Sequence, residues 1–194
     1  MNVATLRCTL ILFFAMGSMI SFGQSKIDSL ETRLKNRLSD SDRVNTLLKL
    51  SQEYEYVDIR KSRSLTEEAI EISEKKSYMQ GVVDAHQSMG SIYRVSGNYE
   101  AALLEDNKSL EASLKMNDSL RIAKTYNNVA HDYYDMGEFD EAYHYFVKSY
   151  RYSSALGDSL LVAIALHNIG RVFKELGQYD HAKQHLKIDR KSVV

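Results

Sequence analysis

The chain has 194 residues and a net charge of −1, so no electrostatic argument leads to nucleic acid or an anionic membrane. Hydrophobic residues make up 44% and charged residues 26%, the balance of a foldable chain rich in helix formers. Nine glycines and no proline leave little material for long loops.

Residues 1–23 differ from the rest. Arg7 precedes the apolar run "TLILFFAMGSMI", and "SFG" follows before Gln24. That is the order of a secretory signal peptide, with Ser21 and Gly23 at −3 and −1 of a cleavage after Gly23. The run is short for a membrane span, which needs about 20 residues. Cys8 is the only cysteine, and cleavage would leave a mature chain without thiol or disulfide chemistry. An exported, periplasmic or cell-envelope location is expected. Residues 24–41 are read as an N-terminal capping helix, with Ile27, Leu30, Leu34 and Leu38 on one side.

The remainder repeats. Ala102, Ala142 and Ala182 stand 40 residues apart, and one step back is Ser62. Gly90, Ala130 and Gly170 keep the register as small residues. Tyr93, Tyr133 and Phe173 keep it as aromatics. Gly97, Gly137 and Gly177 recur, each followed two residues later by Tyr99, Phe139 or Tyr179. Each unit reads as two helices, because residues 122, 123, 126, 129, 130 and 133 form an apolar or small stripe at helical spacing. The glycine follows the first helix, where a positive φ is often needed. Glu138, Asp140 and Glu141 then fall in the first turn of the second helix, where the macrodipole favours them. Asp118 or Ser119, and Asp158 or Ser159, are the expected N-caps. The units run over approximately 42–80, 81–118, 119–158 and 159–188, the last of them truncated. Residues 189–194, "DRKSVV", resemble a sequencing adapter read as codons, which would make them an artefact outside the fold.

These residues resemble the tetratricopeptide repeat family, whose small–aromatic–Gly-x-aromatic-x-x-Ala order occurs three times in one register. The resemblance covers roughly residues 42–188. It implies an all-α fold, a right-handed superhelical solenoid of about four antiparallel helix pairs. HEAT-like repeats share the period but not the Gly-x-aromatic turn. Three features depart from the pattern. The period is 40 rather than 34. Asn117–Asp118 and Gly157–Asp158 replace the closing proline. Asp106 stands where an aromatic belongs. More narrowly, the signal end, the short first helix and the 40-residue units resemble exported regions of Bacteroidota signalling proteins. Such regions precede a histidine kinase or another effector.

The resemblance implies a concave groove lined by first helices. Its register places Gln87, Ser91 and Arg94 there, then Asn127, Asn128, His131 and Tyr134, then His167, Asn168, Arg171 and Lys174. Asn128 and Asn168 match positions that hold a peptide backbone in peptide-binding members, and Arg171 and Lys174 could supply charge. The expected partner is a protein or peptide, with self-association possible through the uncapped last repeat. No catalytic residue, cofactor or metal is expected. The acids of "GEFDEA" are helix-start residues. His181 and His185 lie one turn apart, and His144 is on the preceding unit, but no third ligand is specified. Asp-Ser-Leu at 28, 118 and 158 doubles as a cap and as an O-glycosylation signal of Bacteroidota. The function expected is an exported, non-catalytic interaction module of a larger signalling protein. A regulatory region of a kinase or cyclase, or a stand-alone periplasmic scaffold, is the alternative.

Overall fold

A computed structural model describes residues 25–177. The signal segment, the residues Tyr179, His181, Ala182 and His185, and residues 189–194 lie outside them. Among the described residues eight helices follow one another: α1 (25–34), α2 (Asp40–Tyr54), α3 (Ile59–Lys75), α4 (Met79–Val95), α5 (Tyr99–Met116), α6 (Ser119–Asp135), α7 (Phe139–Leu156) and α8 (Ser159–Glu175). α2/α3, α4/α5 and α6/α7 are antiparallel pairs, and α8 opens the fourth. First helices also touch one another in sequence, α2 on α4, α4 on α6 and α6 on α8. The result is the right-handed superhelical solenoid expected.

The capping helix is shorter than its stripe suggested. It ends at residue 34, and Ser39 begins the next helix by accepting from the Asp42 N–H. Side-chain contacts fasten α1 to the first pair, among them Lys61 Nζ to Glu31 at 2.7 Å, Tyr54 Oη donating to Glu31 at 2.9 Å, Lys26 Nζ to Glu53 at 2.6 Å and Arg33 to Asp42 at 3.5 Å.

The corners set the period. Residues with positive φ stand at Ser77, Gly97, Asn117, Gly137, Gly157 and Gly177, one every twenty residues. Each follows a helix end, after the first five the next helix begins two residues on, and Asn98, Asp118 and Asp158 cap the new helices with their side chains. The α2–α3 corner breaks the series. From Tyr54 to Ile59 is one residue fewer than from Tyr93 to Tyr99, and the missing residue is the glycine. Asp58 caps α3 by accepting from the Arg60 and Lys61 N–H groups. The deletion moves α2 out of the 40-residue register into one of 39, so Val44, Thr46, Leu47 and Leu50 align with Val83, Ala85, His86 and Met89, and all eight are buried.

Small residues let the helices close. Ala102, Ala130 and Ala142 are fully buried, and Ser62 holds the same place in α3. One position of the second helices is wedged between two first helices: Thr66, Asp106 and Phe146, 40 residues apart and all buried. Thr66 bonds Ser51 of its own pair at 2.7 Å and Ser88 of the next at 3.3 Å. Phe146 packs with Ala130 and Ala142 of its own pair and with Ile169, Val172 and Phe173 of α8. Asp106 fills the slot with a carboxylate. A methyl group on Gly90 would meet that carboxylate at 2.9 Å, so the glycine makes its room.

Gly137 has φ +80°, and nothing lies within 4 Å of a Cβ placed there. Its requirement is conformational. Gly137→Ala should cost about 1–2 kcal/mol in urea unfolding, and Gly137→Asn less, since Asn117 adopts φ +52° at an equivalent corner.

Candidate functional site: the concave first-helix face

Residues three and four apart share a helix face. On α4 that face carries Asp84, Gln87, Ser88 and Ser91. On α2 it carries Asn45, Leu48, Lys49 and Gln52, each 39 residues earlier. Together with Glu55 these eight line a cavity of about 440 Å³. A second hollow of about 190 Å³ opens among Gln87, Lys124, Asn127, Asn128, Leu161 and Ile164. A third of about 210 Å³ is bounded by Asp84, Gln87, Asp118, Leu120, Arg121 and Lys124. Gln87 borders all three. The hollows therefore make one trough across α2, α4, α6 and α8, rich in carboxamides.

Gln87, Ser91, Asn127 and Asn128 line this trough. Arg94, Arg171 and Lys174 do not. Arg94 turns into the body, where its Nη1 binds both Asp106 and Asp132, the latter at 2.6 Å. Both aspartates are fully buried. Desolvation opposes the charge of Arg94, but the two carboxylates outweigh it and raise its pKa. Burial first, and then the Asp106 charge, push the Asp132 carboxyl up to about 8 against the pull of Arg94. Burial likewise raises Asp106, opposed by Arg94 and by Asn128. Two buried carboxylates beside one guanidinium would leave a net charge, so at neutral pH the Asp106–Asp132 pair shares a proton. The remaining oxygens, Asp106 Oδ1 and Asp132 Oδ2, have no hydrogen-bond partner within ordinary geometry. Arg94 is thus a clasp joining α4, α5 and α6 rather than a groove cation.

The residues of α6 and α8 are committed in the same way. Asn168 is buried, and its amide donates to Asn127 Oδ1 at 2.9 Å and lies 3.3 Å from His131 Nε2. Burial, with Arg171 and Arg94 nearby, lowers the His131 pKa to about 4, so the ring is neutral; it meets Phe146 edge-on. Arg171 lies over the Tyr134 ring at 4.3 Å, and Tyr134 Oη donates to Glu175 at 3.3 Å. Asn168 and Arg171 therefore hold α8 on α6 and are not free for a ligand. His167 and Lys174 are exposed on α8 and border none of the three hollows. Arg121 pairs with Asp84 across α4 and α6. His144 is exposed beside the Tyr143 ring, and no group of three potential metal ligands converges among the described residues.

Asn45, Lys49, Gln52 and Glu55 were not legible from the 40-residue step, because α2 runs one residue out of register. Asp84, Ser88 and Lys124 were legible as the turn-mates of Gln87 and Asn127.

Residues 121–187 match the family model described as tetratricopeptide repeat. No curated protein matches the chain. Among solved structures, the apo form of RapI is similar at 21% identity and TM-score 0.73, over 91% of this chain and 49% of that one. A Rap protein complexed with competence and sporulation factor is similar at 21% and 0.74, over 90% of this chain and 51% of that one. BtubC from P. vanneervenii follows at 17% and 0.71, over 91% and 74%. This chain spans about half the length of the two Rap chains. No helix among the described residues is long and apolar enough to cross a membrane.

Arg94→Ala should cost roughly 3–5 kcal/mol, since it strands two buried carboxyls. Replacing all three members by the types found in other pairs (Asp106→Phe, Asp132→Val and Arg94→Tyr) should restore stability to within about 1 kcal/mol of the parent. Denaturant midpoints check both. A pH series gives a third outcome. Asp132 is raised in the folded state, so the stability it contributes is complete below the ordinary carboxylate range and is lost as pH rises through about 8. The parent should unfold at lower urea at pH 9 than at pH 6, and Asp132→Asn should flatten that difference.

Proposed function

We propose that this chain is a protein-interaction module whose concave face holds an extended peptide segment, without catalysis of its own. The observation that carries this is the trough itself. Gln52 of α2, Gln87 of α4, and Asn127 and Asn128 of α6 bring carboxamides to its lining. A carboxamide offers two donors and an acceptor, which is the complement of a peptide backbone. The helices beneath are fixed by Arg94, Asn168 and the Thr66 hydroxyl network, so little ordering cost remains to be met on binding. The similar Rap structure complexed with competence and sporulation factor supports the same reading by analogy of fold.

The module is further proposed to be exported and to belong to a larger cell-envelope signalling protein. The order of residues 1–23 supports export. Recognition in the trough would bias the stacked pairs, and the bias would pass along the stack to an effector. Two experiments test these statements. Expressed with its native leader, the mature chain should begin at Gln24 on N-terminal sequencing; an intact Met1 in the envelope fraction contradicts cleavage. Peptides selected from a random phage-displayed library should lose about tenfold or more in affinity for the double variant Gln52→Ala, Gln87→Ala, while its urea midpoint stays near the parent's. Unchanged affinity would move the binding face elsewhere.

A further inference from the structure

The geometry points to a guanidinium site at Glu55: the cavity between α2 and α4 takes an arginine side chain of the bound peptide. This rests on the trough being the binding face. It reverses the expectation that groove cations would take a ligand's carboxylate.

Glu55 is 8% exposed and lines the cavity of about 440 Å³ between α2 and α4. Its carboxylate accepts one hydrogen bond, from Ser91 Oγ at 2.6 Å. A buried charge is ordinarily paired or hydrogen-bonded on both oxygens. Among the described residues no ion pair reaches it. The nearby charges are committed or distant. Asp84 is held by Arg121. Arg94 is held by Asp106 and Asp132. Lys49 lines the same cavity but stands six residues earlier on α2, roughly 9 Å along the axis.

Two local rules are also broken here. Glu55 is the C-cap of α2, and the last turn of that helix has no basic residue. Carbonyl ends of helices favour cations, so a carboxylate there is in the wrong place. The equivalent positions in later pairs are Arg94, Tyr134 and Lys174; an acid occurs only in the first. Breaches of this kind without internal compensation are found where a site serves binding. A cationic guest would satisfy the carboxylate and the helix end together.

The rest of the cavity selects among cations. Gln52 and Gln87 offer carboxamide oxygens, Ser88 and Ser91 offer hydroxyls, and Leu48 gives an alkyl stem an apolar wall. A guanidinium has five donors in a planar fork, whereas an ammonium has three on one atom. Several acceptors around one carboxylate match the fork.

The test uses the full chain and peptides selected from a random phage-displayed library. The best binder is resynthesised with each arginine changed to citrulline, which keeps the shape and removes the charge, and to lysine. Fluorescence anisotropy is read against the parent and against Glu55→Gln, which retains size and an acceptor for Ser91. One arginine should bind about tenfold better than citrulline, with lysine between, and Glu55→Gln should abolish the difference. Glu55→Gln should also melt no lower than the parent, because a buried charge has been removed. Lysine equal to arginine overturns the guanidinium assignment. Peptides that bind without charge preference, or that keep it against Glu55→Gln, overturn the site but leave the groove reading standing. A library that yields no binder overturns both.

Discussion

One guanidinium between two buried carboxyls fixes the middle of this solenoid and, through it, the chemistry of the concave face. Asp106 occupies a slot that Thr66 and Phe146 fill in the neighbouring pairs. A carboxylate there must be neutralised, and the residue that does so is Arg94, the one that would otherwise project into the groove. Asp132 comes from the next first helix to share the same cation. The price of specificity is a buried polar cluster where a phenyl ring would pack, and such clusters seldom add net stability. What the cluster adds is register: α4, α5 and α6 can be brought together in one way that leaves no unpaired ion.

The same commitment extends to the other cations. Arg121 crosses from α6 to Asp84 of α4, and Arg171 stacks on Tyr134 of α6. Each joins one first helix to the preceding one. The face of the trough is left with carboxamides, hydroxyls, Lys49, Lys124 and the single uncompensated acid, Glu55. Electrostatics in such a face serve selection more than affinity. Amides that hold any backbone, with one carboxylate that prefers a cation, make a reader of extended segments with one demanding position.

Much of the architecture was legible in the sequence. Gly97, Gly137 and Gly177 announced the within-pair corners because each carries the same turn signal with an aromatic two residues later. The corners between pairs use Ser77, Asn117 and Gly157, three different residues in one conformation, so sequence identity hid what φ makes plain. The first pair was hidden for another reason. Its corner lacks one residue, and a fixed step of 40 then points to Leu47 in the core instead of Leu48 in the groove.

The internal use of Arg94 could have been inferred from columns rather than from single positions. Asp106 aligns with Phe146, Asp132 with Ile92 and Val172, and Arg94 with Tyr134. Asp106 and Asp132 bring charge to columns that are uncharged in α7, α4 and α8, and Arg94 stands with them. That is the mark of a compensated cluster. Asn168 and Arg171 gave no such mark, because their partners, Asn127, His131 and Tyr134, are polar residues that a groove would equally use. The account as a whole is tested most directly by a crystal structure of the chain with a selected peptide. The backbone should run along Gln87, Asn127 and Asn128, with no peptide carboxylate within ion-pair distance of Arg94 or Arg171. A peptide carboxylate seated on either arginine, with Asp106 or Asp132 released from it, would contradict the account.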